Sequence, residues 1–197
     1  VLSPASACDT KEEIRVVGGS VTFRSQNTAT DRGAPLWSFG EHPIVTIEFK
    51  DPPRPVFHQD KYKTRFKLSE SGRALTISQL SMEDAGTYSV SIDGKISSTF
   101  TLRVYRKLAE PIVTCEAQSC SDGSCSFSLR CSVPGAGFGN VSYTWRKRDQ
   151  LWDEGSVVRL EVKESCLCEQ EPLTCTARNA VSSRNVTVTT PGELCPG

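Results

Sequence analysis

Apolar and polar positions alternate with a period of two through most of the chain, and no stretch of useful length follows the helical period. Val21 and Phe23 share one side of an extended run and Thr22 takes the other, as a half-buried strand requires. Gly18-Gly19-Ser20 separates this run from Ile14 to Val17. Leu36-Trp37-Ser38-Phe39 and Pro43 to Phe49 read as the next strands. Pro52, Pro53 and Pro55 exclude a central strand, so their stretch is loop or sheet edge. Strands follow at Tyr62 to Leu68, Ala74 to Ser78, Thr87 to Ile92 and Lys95 to Val104, with Asp93-Gly94 as a hairpin turn. The second half opens with Pro111 to Thr114. Parity then groups Phe127, Leu129, Cys131 and Val133; Val141, Tyr143 and Trp145; Leu173, Cys175 and Ala177; and Val186 with Val188. Val157, Val158, Leu160 and Val162 form a further apolar run. The class is all-β.

Two local patterns turn this strand list into an architecture. Asp84-Ala85-Gly86-Thr87-Tyr88 follows the run through Leu75 and Ile77, with Arg65 nineteen residues before Asp84. In immunoglobulin-type sandwiches such an Asp and Gly make the turn, the Tyr caps the corner, and an upstream Arg can pair with the Asp. Trp37 supplies the central core ring. The second pattern is Cys131…Trp145…Cys175, the disulfide-and-Trp order of the same fold. The chain therefore reads as two tandem immunoglobulin-like β-sandwiches. Residues 1–107 form a variable-like domain and residues 108–197 a constant-like, C2-type domain. The short span between Cys131 and Cys175 argues against extra hairpin strands in the second. In the first, Val90 stands where the inter-sheet cysteine usually lies, and the partner strand offers Phe23 and Ser25. That domain must hold its layers by apolar packing, with Trp37, Phe39, Phe66, Leu75, Ile77, Leu80, Tyr88, Val90 and Leu102 as its core.

Length agrees, since 197 residues suit two such domains of about 100 each. Basic and acidic residues balance at 23 each, which favours neither nucleic acid nor an anionic membrane surface. Nine cysteines point to an oxidising compartment. No apolar run approaches the ~20 residues of a membrane span. Val1-Leu2-Ser3-Pro4-Ala5 reads as a mature start with any signal peptide removed, and a membrane anchor is expected beyond Gly197. Catalysis fails on inventory. His42 and His58 are the only histidines, and neither neighbours a recognisable nucleophile arrangement. No cofactor and no metal are expected, because the cysteines lack the usual Cys-x-x-Cys spacing.

If Trp37 and Val90 point inward, alternation sends Ser38, Ser89 and Ser91 outward. With Thr46, Glu48, Asp93 and Lys95 these form the expected partner-binding face, whose mixed charge suits a weak, reversible contact. Asn140-Val141-Ser142 and Asn185-Val186-Thr187 are glycosylation acceptors, and Asn27-Thr28-Ala29 is not. Cys125 and Cys195 both fall at the end of the second domain far from the linker, which makes a Cys125–Cys195 bridge geometrically sensible. The sequence leaves the pairing of Cys115, Cys120, Cys166 and Cys168 open, a bridge between the two loops that carry Cys120 and Cys166/Cys168 included. Cys8 has no partner in its own domain.

Together these residues resemble the signalling lymphocyte activation molecule (SLAM) family of leukocyte receptors over nearly the whole chain. In the first domain the likeness rests on Gly19 to Phe23, Trp37-Ser38-Phe39, Ile77 to Tyr88 and the missing inter-sheet bridge. At the junction it rests on Val104 to Leu108 with Pro111. In the second it rests on Cys125-x5-Cys131-Ser132-Val133, Val141 to Trp145, Cys175 to Ser182 and Leu194-Cys195. The resemblance implies a two-domain receptor ectodomain with bridges Cys131–Cys175 and Cys125–Cys195. It implies adhesion and co-signalling at a leukocyte surface, through the front sheet of the first domain. The partner would be another immunoglobulin-like cell-surface protein, an identical molecule or a related one. The alternative is a secreted decoy or ligand-capture protein on the same scaffold.

Overall fold

A computed structural model describes residues 10–26, 33–163 and 171–195. The chain divides into two compact units, Val1–Tyr105 and Arg106–Gly197, called domain 1 and domain 2 below. The division falls two residues before the boundary expected at 107. The Arg106 amide donates to the Gly137 carbonyl at 2.8 Å and the Arg106 carbonyl accepts from Asn179 Nδ2 at 2.8 Å, which ties Arg106 to the second unit.

Domain 1 is a sandwich of unequal layers. The larger sheet contains β1 (Thr10–Val16), β3 (Leu36–Phe39), β4 (His42–Glu48), β5 (Arg54–Phe57), β8 (Gly86–Ile92) and β9 (Lys95–Tyr105), in the spatial order β1-β9-β8-β3-β4-β5. The smaller contains β2 (Val21–Arg24), β6 (Phe66–Leu68) and β7 (Ala74–Ile77), in the order β2-β7-β6. Gly18, at φ +85°, lets the chain leave β1 in one layer and enter β2 in the other. The Pro-rich stretch forms β5, paired only with β4 and so at the sheet edge. The expected strand at Tyr62 to Leu68 shortens to β6. Its first part is a 3-10 turn at Asp60–Tyr62, where the Lys63 amide bonds back to Asp60.

Aromatic rings take the place of the missing bridge. Phe23, from the small sheet, stacks on Phe100 at 4.8 Å and meets Tyr88 at 5.1 Å, both from the large sheet. Trp37 stacks on Phe100 at 5.9 Å and donates its indole N–H to Gly72 O at 2.8 Å. Val90 lies fully buried beside them. The corner is closed by the short polar network that the motif requires. Arg65 donates two hydrogen bonds to the Asp84 carboxylate, at 2.7 and 3.0 Å. The Ser81 amide donates a third, at 2.8 Å, and Tyr88 Oη–H donates to Asp84 O at 2.6 Å. Burial works to raise the Asp84 pKa, but Arg65 and Ser81 outweigh it and hold the carboxyl below its ordinary range. Burial pushes the Tyr88 phenol well above its own.

Domain 2 pairs the sheet β10 (Ile112–Ser121), β11 (Ser124–Ser132), β14 (Val157–Lys163) with a second sheet. That second sheet runs β13 (Gln150–Glu154), β12 (Ser142–Lys147), β15 (Leu173–Arg178), β16 (Ser183–Val188). Cys131 and Cys175 are joined between the layers, beside buried Trp145. Two expectations need correction here. First, an additional hairpin strand does form: β13 pairs with β12 across a two-residue turn, in which Arg148 and Asp149 both adopt positive φ. Neither is glycine, so the turn carries little signal in the sequence. Second, the Cys125–Cys195 bridge does not form. The stretch holding Cys120 is strand rather than loop, because Asp122-Gly123 turns β10 directly into β11. Cys120 and Cys125 face each other in register across that hairpin and are joined. A terminal 3-10 turn, Pro191–Leu194, instead brings Cys195 to Cys115. Cys8, Cys166 and Cys168 lie outside the described residues.

Candidate functional site: the outer face of the domain 1 sheet

The inner side of the large sheet is fixed by its buried residues: Trp37 on β3, Val45 and Ile47 on β4, Tyr88, Val90 and Ile92 on β8, and Phe100 and Leu102 on β9. Alternation sends the residues between them outward. Strand register then places five outward residues in one line. Ile96 on β9 pairs with Ser91 on β8, Ser91 with Leu36 on β3, Leu36 with Thr46 on β4, and Thr46 with Val56 on β5. The line crosses five of the six strands, from β9 to edge strand β5, about 19 Å at the ordinary strand spacing. It alternates apolar and hydroxyl side chains. Ile96 is 52% exposed and Val56 39% exposed, while Leu36 at the centre is half-buried.

In the neighbouring line Thr99, Ser89 and Ser38 are paired in turn, and Ser38 is in register with Pro43 on β4. Charges stand around these lines rather than among them. Glu48 pairs in register with Arg54 and makes an ion pair with Lys50 at 3.4 Å. Glu12 accepts a 2.7 Å hydrogen bond from Arg103 toward the β1 edge.

The residues expected to face a partner thus divide. Ser38, Thr46, Ser89 and Ser91 lie together on the outer face, with Glu48 at its margin. Asp93 sits in the β8–β9 turn at φ +52°. Lys95 is in register with buried Ile92, so the outward place belongs to the next residue, Ile96. Leu36, Val56, Ile96 and Arg54 escaped the sequence reading. Leu36 was detectable, since it shares parity with Ser38 and is an apolar residue on a side that should be wet. Val56 was hidden by the prolines around it.

No family model matches the chain. Human SLAM family member 7 is 29% identical over 203 aligned residues, covering 98% of this chain and 59% of that protein. Human T-lymphocyte surface antigen Ly-9 is 38% identical over 133 residues, covering 63% of this chain and 20% of that one. The chain belongs to the SLAM family. It spans about three fifths of the first relative and one fifth of the second. The relatives are cell-surface receptors built from immunoglobulin domains. A solved structure of the CD2-binding domain of CD58 shares the fold of the SLAM-family chain. Its TM-score is 0.64 at 19% identity, with 96% of this chain and all of that one covered. Among the described residues, no helix is long and apolar enough to cross a membrane.

Proposed function

We propose that this SLAM-family chain is the extracellular recognition part of a leukocyte receptor, and that it binds through the outer face of the domain 1 sheet. Its partner is the corresponding immunoglobulin domain of an identical or related cell-surface protein. No catalytic step is part of this reading. The observation that carries it is the line Ile96–Ser91–Leu36–Thr46–Val56. An apolar centre with hydroxyls between its members and charges at its margin matches the anatomy of a non-obligate protein interface. Leu36 stands mid-line, where a binding hot spot is best shielded from water. The charged margin of Glu48, Arg54 and Asp93 would tune encounter rate and partner choice more than affinity.

The test is surface plasmon resonance of the two-domain protein against itself and against related ectodomains. Leu36→Arg buries a charge at the centre of the contact and should weaken binding at least ~30-fold, about 2 kcal/mol. Glu48→Arg should change affinity only several-fold and alter the salt dependence. Undiminished binding by Leu36→Arg to every partner that the parent protein binds would remove this face from the account.

A further inference from the structure

Both glycosylation acceptors lie on or just beside a single sheet of domain 2, the one that contains β12, β13, β15 and β16. Asn185 lies on edge strand β16, next to half-buried Val186, which packs on the core. Asn185 and Thr187 therefore project together from the outer face. Asn185 pairs in register with Thr176, Thr176 with Thr144, and Thr144 with Glu154, a polar lane across all four strands. Thr187 shares a 2.9 Å hydrogen bond with Thr174 in the adjoining line. Asn140 is exposed and lies two residues before the start of β12, whose outward Ser142 completes its acceptor sequence. The opposite sheet of domain 2 carries no acceptor, and neither does domain 1.

We infer that N-linked oligosaccharide at Asn185, joined by a second at Asn140, covers the outer face of this sheet. The molecule is thereby left with one bare front-type face, that of domain 1. In the attachment step the Asn185 amide nitrogen bonds to the anomeric carbon of a lipid-pyrophosphate-linked oligosaccharide. The anomeric carbon–oxygen bond breaks, the lipid pyrophosphate leaves, and the amide gives up one proton. The lane suits such an occupant, because short threonine side chains leave a flat surface of hydroxyls on which a carbohydrate can lie. Leu151, 60% exposed and in register with Arg146 beside the lane, is a lone apolar side chain on an otherwise polar face. The inference rests on the proposed function only in requiring export through the secretory route.

The experiment uses the whole chain secreted from a eukaryotic cell. Enzymatic release of N-glycans in 18O-water should convert Asn185 and Asn140 to labelled aspartate, read by peptide mass. Phenylglyoxal modification of the native protein should then reach Arg178, on the same face, about fivefold faster after glycan release. Arg54, on the domain 1 sheet, should react equally before and after. An unmodified Asn185 in the secreted protein, or an Arg178 rate that glycan release leaves unchanged, would overturn the inference. Neither readout depends on binding by Leu36, so the shield and the docking face stand or fall separately.

Discussion

In domain 1 the layers are held by Phe23 reaching across to Tyr88 and Phe100, whereas in domain 2 Cys131 and Cys175 join the layers covalently. Both domains keep a buried Trp on the strand after the first sheet crossing, and each indole N–H donates to a glycine carbonyl: Trp37 to Gly72 O, Trp145 to Gly155 O. The difference lies in where the stability comes from. Stacked rings stabilise the native state through buried area and need no particular redox environment. A disulfide acts mainly by restricting the unfolded chain, and its contribution grows with the loop that it closes. The bridges Cys131–Cys175 and Cys115–Cys195 close 44 and 80 residues. By the chain-entropy relation each contributes about 4 kcal/mol. A strong reductant should therefore unfold domain 2 at physiological temperature and leave the domain 1 transition in place. Calorimetry with and without the reductant checks this, and equal loss of both transitions would show that domain 1 also depends on a bridge.

A smaller effect probes the polar side of the same contrast. Domain 1 closes its corner with the Arg65–Asp84 pair, in which Asp84 is buried and Arg65 half-buried. The described ion pairs of domain 2, Arg130–Glu116 and Arg148–Glu171, lie at the surface. Surface pairs contribute little, but removing one member of a buried pair strands the other. Asp84→Asn should cost domain 1 about 2–4 kcal/mol, read from chemical denaturation. The same pair sets an acid limit. The folded Asp84 pKa lies below its unfolded value, so its contribution is whole above about pH 4 and is lost as pH falls through the folded value. Domain 1 should thus weaken progressively below about pH 4, and Asp84→Asn should weaken less over that interval. Parallel acid profiles for the parent and the variant would remove Asp84 as the cause.

The sandwich in domain 1 was legible because its signals are local. Asp84, Gly86 and Tyr88 lie on one turn, Arg65 stands at a fixed distance before them, and parity alone separates Trp37 from Ser38. The docking face was legible only in part. Parity says which side a residue faces, but not which residues on different strands stand next to each other. That depends on register, and register in turn depends on bulges. The irregularity between Val90 and Ser91 moves Ile96 into the outward line and leaves Lys95 on the other parity. The bulge on β4 at Ile44, opposite Trp37 and Ser38, has the same character. Val56 entered the line because Pro55 sits on an edge strand, where a missing N–H costs nothing.

Cysteine pairing was the least legible feature, for a related reason. The expected Cys125–Cys195 pairing rested on the family resemblance and on the two cysteines sharing an end of the domain, with the stretch before β11 read as loop. Asp122-Gly123, at φ +53° and +80°, is the same two-residue hairpin signal as Asp93-Gly94, at +52° and +79°. Counting outward from it places Cys120 opposite Cys125 and decides the bridge. A bridge between residues that a hairpin has already brought together restricts the unfolded chain least. It closes only five residues, against 44 and 80 for the others. Replacing both Cys120 and Cys125 with Ser should cost domain 2 about 2 kcal/mol or less, half or less of the effect of removing Cys131–Cys175. Trp145 fluorescence during chemical denaturation reads the loss. A cost as large as that of the inter-sheet bridge would mean that the hairpin does not hold these cysteines together by itself, and that the domain relies on covalent closure even where its backbone is paired.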